Sequence, residues 1–120
     1  MILVDTCAWR RWAIHTRVPD PAFARLVTDG EVVTHPWVVA ELMLGGLAPA
    51  RLEMVIEQPA LAITPYPEVM RFIRRHHPKG IGWVDVNLLV SALDASATIL
   101  TTDAGLRENA ERHGAACRIS

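Results

Sequence analysis

The chain has 120 residues, with 12 basic and 13 acidic side chains, a formal net charge of −1, 51% hydrophobic residues and 21% charged ones. That length is one domain, 1–120, which buries roughly 65% of its unfolded surface and needs no staples to hold a core. The composition excludes a disordered chain, and the charge excludes binding of nucleic acid by bulk positive charge, though not by a local patch.

Ile2-Leu3-Val4 is continuously apolar and predicts a strand buried on both faces. A helix follows over 6–15, then one over 21–29 opened by Pro21 and ended near Gly30. Glu31 to Thr34 predicts the second strand. Pro36 opens a helix over 36–44 that stops at Gly45, and Pro49 opens another over 49–57. Leu61 to Ile63 is the third strand candidate, followed by helices over 66–76 and 83–96. Thr98 to Leu100, a helix over 104–113 and Ala115 to Ile119 complete the series. Alternation of this kind predicts an α/β fold, a three-layer α/β/α sandwich around a central parallel sheet of about five strands. Cys7 and Cys117 show neither metal-ligand spacing nor the density of a disulfide scaffold. Met1-Ile2-Leu3-Val4-Asp5 reaches a charge too soon for a signal peptide, and no apolar run approaches the ~20 residues of a membrane span. The expectation is a reduced, cytoplasmic protein without a membrane.

In open parallel sheets, ligands bind beyond the carboxyl ends of the strands. Asp5 follows the first strand, and Thr101-Thr102-Asp103 follows Leu100. Each Asp also stands where a helix N-cap belongs. Glu41 shares its helix face with Trp37, Val38 and Leu44, and Asp85 with Leu88, Leu89 and Ala92. A carboxylate on an apolar stripe faces the protein, where an unpaired charge is costly; the alternative for both is an ion pair with an Arg. Two carboxylates ~4 Å apart repel by roughly 4 kcal/mol at an effective dielectric of 20. Four that converge take up protons or bind a cation. With no His or Cys at useful spacing, the donors are all oxygen, which suits Mg²⁺ or Mn²⁺ and the hydrolysis of phosphodiesters.

These residues carry a resemblance. Leu3-Val4-Asp5-Thr6, Val39-Ala40-Glu41-Leu42, Gly82 through Leu89 and Leu100-Thr101-Thr102-Asp103 resemble the four motifs of PIN-domain ribonucleases, above all the VapC-type toxins of bacterial toxin–antitoxin pairs. The likeness spans nearly the whole chain, and Gly80 through Gly114 is its most specific part. It implies a PIN-like fold and an endoribonuclease in which Asp5, Glu41, Asp85 and Asp103 hold one or two Mg²⁺ or Mn²⁺ ions that activate water for cleavage to a 3′-hydroxyl and a 5′-phosphate. Thr101 matches the hydroxyl residue two before the last acid, and Asn87 falls where some relatives carry a polar residue lining the site. It further implies an RNA substrate, a homodimer, and a cognate antitoxin whose helical tail fills a groove near the site. One departure is Cys7, where the family commonly has Ser; a thiol is a weak donor and a soft ligand, and packing as a small apolar residue is the expectation for it.

Arg71, Arg74, Arg75 and Lys79 crowd four positive charges just before the loop that leads to Asp85. They read either as a solvated helix face or as a rim that tracks phosphates. Trp9 and Trp12, beside Arg10 and Arg11, are divided between core and contact surface. One other enzyme class, which also begins with a strand and an Asp, and one signalling domain stand or fall by their acids. Aspartyl-phosphate phosphatases need a second acid where Cys7 stands, and phosphoacceptor domains need an adjacent acid pair. A catalytically impaired PIN-like module that only binds RNA or protein is the remaining alternative. Setting four of the thirteen acids aside leaves nine against twelve basic residues, eleven of them Arg, so the rest of the surface is mildly basic.

Overall fold

Ile2–Val4 forms β1, and both Leu3 and Val4 are wholly buried, as a strand without polar alternation requires. β1 pairs in parallel with β2 (Val32–Val33) on one side and β3 (Thr98–Leu100) on the other, and β3 pairs in parallel with β4 (Ala116–Cys117). The computed structural model describes residues 1–119. Its sheet order, β2-β1-β3-β4, runs outward in opposite directions from the β1/β3 boundary. That boundary is a topological switch point, where a crevice opens beyond the carboxyl ends of the strands. All three strand pairs are parallel, so each connection must cross over the sheet, and the intervening helices make those crossovers.

Among the described residues the sheet has four strands, not five. The segment 61–63 contributes only a bridge one residue earlier, Thr34 to Ala60, held by Thr34 N to Pro59 O and Leu61 N to Thr34 O, both 2.8 Å. The ladder stops there because its partner strand ends: Pro36 has already turned the chain into a helix.

The helices are α1 (Thr6–Trp9), α2 (Pro21–Thr28), α3 (Pro36–Leu44), α4 (Pro49–Ile56), α5 (Tyr66–His76), α6 (Trp83–Asp94) and α7 (Ala104–Arg112). Pro21, Pro36 and Pro49 each occupy the first helical turn, where the missing N–H costs nothing. Past α1 the helix widens into a π-helical turn over Arg10–Ile14, closed by His15 N donating to Arg10 O at 2.8 Å. The wider turn sets Trp9 and Ile14, five residues apart, on one buried face. The core joins the sheet to Trp9, Phe23, Leu42, Leu88 and Leu106, with Trp9 and Phe23 edge to face at 5.2 Å. A smaller cluster of Val69, Val86 and Val90 seats α5 on α6. No helix among the described residues is long and apolar enough to cross a membrane.

Candidate active site

Asp5 leaves the carboxyl end of β1 and caps α1, its Oδ1 accepting from Ala8 N at 3.0 Å. Thr101, leaving β3 next door, donates from Oγ1 to Asp5 Oδ2 at 2.6 Å and accepts from Asp103 N at 3.0 Å. One buried hydroxyl therefore fixes two acids against each other. Asp103 caps α7 through Oδ2, which accepts from Leu106 N at 2.9 Å. Capping and site-building are thus the same geometry for both residues, because each cap leaves carboxylate lone pairs free. Cys7 departs from its expected packing role. Its thiol donates to Asp5 Oδ1 at 2.9 Å and lies 3.5 Å from Thr101 Oγ1. α1 begins at Thr6, so the turn after Asp5 carries Cys7 back over the carboxylate that caps it.

Glu41 projects from α3 and accepts from Thr6 Oγ1 at 3.0 Å. Asp85 sits in the first turn of α6. The loop ahead of α6 is seated on α7 by a close approach of two glycines: a Cβ on Gly105 would fall 2.0 Å from Gly80 O, and Gly80 has φ +77°. Asn109 clamps the same contact, donating from Nδ2 to Lys79 O at 2.9 Å and Gly105 O at 2.8 Å. These contacts bring the start of α6, with Asp85, beside the start of α7, with Asp103.

Asp5, Glu41, Asp85 and Asp103 line one cavity of ≈ 190 Å³ together with Thr6, Cys7, Arg10 and Leu88. None of the four acids forms an ion pair among the described residues. The Asp85 pKa is raised from 3.8 to about 6, first by burial and then by the negative charges of Asp103, Asp5 and Glu41. Among the described residues no three acid, imidazole or thiol groups are drawn together into a ready-made cage. Mg²⁺ and Mn²⁺ fit this donor set: the ligands offered are oxygens, the one thiol is engaged with Asp5, and Mg²⁺ keeps several of its own waters instead of filling a protein cage.

The other expected site residues lie elsewhere. Asn87 does not line the cavity; it is buried, and its Nδ2 donates to Trp83 O at 2.8 Å. Two residues past Asp85 on a helix is about 200° around the axis, so one faces the cavity and the other the core. Arg71, Arg74 and Arg75 on α5 and Lys79 in the following loop are exposed, and none lines the acidic cavity. α5 meets α6 through Val69, Phe72 and Ile73, which turns its arginines to solvent. Arg10 also lines the cavity, and the sequence marks it only as a charge beside Trp9, five residues beyond Asp5. His35 is wholly buried and accepts from Trp37 N at Nδ1. Its Nε2 is therefore the protonated nitrogen and donates to Ser91 Oγ, 3.0 Å away, so His35 cannot act as a base toward Ser91.

The PIN domain family profile matches residues 2–112. Ribonuclease VapC32 of Mycobacterium tuberculosis, in strains CDC 1551 / Oshkosh and ATCC 25618 / H37Rv, is 35% identical over 121 residues, covering 97% of this chain and 95% of the relative. The crystal structure of PAE2754 from Pyrobaculum aerophilum superposes with a TM-score of 0.67 at 18% identity, covering 97% of this chain and 87% of that one, a likeness of fold. The topology, the acids at the switch point and the extent of these matches agree: the chain belongs to the PIN-domain family and is of the VapC type.

Proposed function

We propose that the chain is an endoribonuclease, the toxin of a toxin–antitoxin pair, which hydrolyses RNA phosphodiesters at a Mg²⁺- or Mn²⁺-dependent site made by Asp5, Glu41, Asp85 and Asp103. The observation that carries this reading is the convergence of four carboxylates from four separate elements on one cavity, none of them in an ion pair among the described residues. The relatives named as ribonucleases point the same way. The partners in this reading are a cytoplasmic RNA, a cognate antitoxin and a second copy of the chain.

When bound, the divalent ion supplies a Lewis acid for a phosphate oxygen and lowers the pKa of water. The protein's own groups prepare for it. Thr101 and Cys7 hold Asp5 by both carboxylate oxygens, and the Ala8 amide adds a third donor. Thr6 holds Glu41, and the α7 N-terminus holds Asp103. Burial and the neighbouring carboxylates raise the Asp85 pKa to about 6, and a bound cation would favour its ionised form. Incubation with total RNA, with and without Mn²⁺, followed by mapping of the cut ends tests this. Cleavage that needs the ion and disappears in Asp5→Asn and Asp85→Asn is expected. Uncut RNA with the native chain, or unchanged cutting by both folded variants, would overturn it.

A further inference from the structure

We propose that the wide groove beside the acidic cavity is the track of a single-stranded RNA, with Arg10 and Arg11 binding its phosphates and the Trp12 ring stacking on one of its bases. This rests on the nuclease reading above and adds where the substrate runs.

The acidic cavity, at ≈ 190 Å³, is smaller than the roughly 300–1,000 Å³ clefts that enclose a small ligand, so nucleotides flanking a bound phosphate must lie outside it. The adjoining space is a groove of ≈ 790 Å³ that shares Cys7 and Arg10 with the cavity and continues along Arg11, Trp12, Thr102 and Arg107. No acid lines it. Among the described residues the ion pairs join the N-terminus to Glu31 and Arg118 to Glu111, so Arg10, Arg11 and Arg107 have no carboxylate partner. Arg107 donates from Nη2 to Thr101 O at 2.7 Å while its Nε is buried without an acceptor. Three guanidiniums lacking anions along one channel match a phosphate backbone.

Geometry on α1 and its π-helical extension supports the same assignment. The Arg10 guanidinium is wedged beside Gly45 at the end of α3, where a Cβ would stand 3.0 Å from Nη2, so the charge is held at the cavity mouth. Trp12 is partly exposed and lines both this groove and a second one of ≈ 700 Å³, with the Arg11 guanidinium carbon 5.8 Å from its ring centroid. Asp20 in that second groove is committed to capping α2. A half-buried indole with an arginine over its ring, open along the groove, is an arrangement that can grip unpaired bases, since only a splayed base offers its face for stacking. An acidic peptide would use the arginines but leave the indole and the opening into the acidic cavity without a role.

The test is fluorescence anisotropy with a labelled single-stranded RNA of mixed sequence, the same RNA as a duplex, and polyglutamate, all in EDTA so that nothing is cut. Arg10→Ala/Arg11→Ala should weaken single-strand binding and flatten the slope of log affinity against log salt by about 1.4, or ~0.7 per phosphate contact. Trp12→Ala should weaken it about tenfold with the salt slope unchanged, and Trp12→Phe should restore most of the loss while guarding against misfolding. Duplex binding should ignore Trp12. An unchanged affinity and slope in the folded double arginine variant, with loss instead in Arg74→Ala/Arg75→Ala, would overturn the groove and leave the nuclease reading standing. Polyglutamate bound as tightly as RNA and lost in step with it would overturn it in favour of an acidic-peptide site. The expected binding pattern in a chain that never cuts RNA with Mn²⁺ would support the groove and sink the nuclease reading.

Discussion

Two side chains that carry no charge decide how the acids are presented. Thr101 is 2% exposed and serves Asp5 and Asp103 at once, so Thr101→Val leaves Asp5 Oδ2 without its donor and the part-buried Asp103 amide without its acceptor. Such partners of metal-binding residues are worth about 10–100-fold in metal affinity or activity. A Mn²⁺ titration of the cleavage rate should show a half-saturating concentration higher by about that factor for Thr101→Val, with Thr101→Ser close to native. A rate curve that keeps its midpoint would remove Thr101 from the site. Cys7 is the second. Because its thiol donates to Asp5 Oδ1, Cys7→Ser should cut RNA at least as well as the native chain. Cys7→Ala should lose several-fold, a difference that initial rates will resolve and that a merely packed thiol would not produce.

At the scale of elements, the acids meet because α6 and α7 start side by side. Their junction is the contact of Gly80 with Gly105, clamped by Asn109. Gly105→Ala would drive a methyl into a backbone carbonyl, which has no flexible end to move aside. The expected cost is about 1–3 kcal/mol of stability, and urea denaturation should read it. Because the loop carries α6, Asp85 moves as well, so cleavage should fall by more than the folded fraction does. A variant as stable and active as the native chain would show that the junction is not what aligns the two helices.

Three groups tie the fold to pH, His35 and the more exposed His113 acting one way and Asp85 the other. His35, its pKa lowered to about 4 by burial, supplies stability above its unfolded value of 6.5 that is lost as pH falls toward 4. Asp85, raised to about 6, acts the other way: its contribution is full below 3.8 and is lost as pH rises through 6. Without metal His35 and Asp85 offset between pH 4 and 6.5, and the native melting temperature should change little there. Asp85→Asn removes one of them. In EDTA it should be more stable than the native chain at pH 7, and its stability should fall by about 2 kcal/mol on acidification to pH 4. Thermal melts across that range check the sign; an Asp85→Asn variant less stable than native at pH 7 would mean that the carboxylates do not repel one another.

Most of the element boundaries were legible in the sequence because their causes are local. Prolines fix first turns, Asp5 and Asp103 sit at strand ends that become caps, and the apolar run of β1 admits only a doubly buried strand. The four acids were legible too, since each interrupts an apolar pattern or follows a strand. Chain-local signals could not reveal a fifth strand cut short by its neighbour's helix, the widening of the helix after Trp9, or Asn87 turned to the core. The sequence by itself determined an α/β domain with four carboxylates bound for one end of a parallel sheet, because hydrophobic period, turn chemistry and capping act within a few residues. Only the tertiary structure decided the sheet order, the Gly80–Gly105 junction, the thiol on Asp5 and the gathering of Arg10, Arg11 and Arg107 along one groove. Those depend on which distant surfaces meet, and close packing settles that over the whole chain at once.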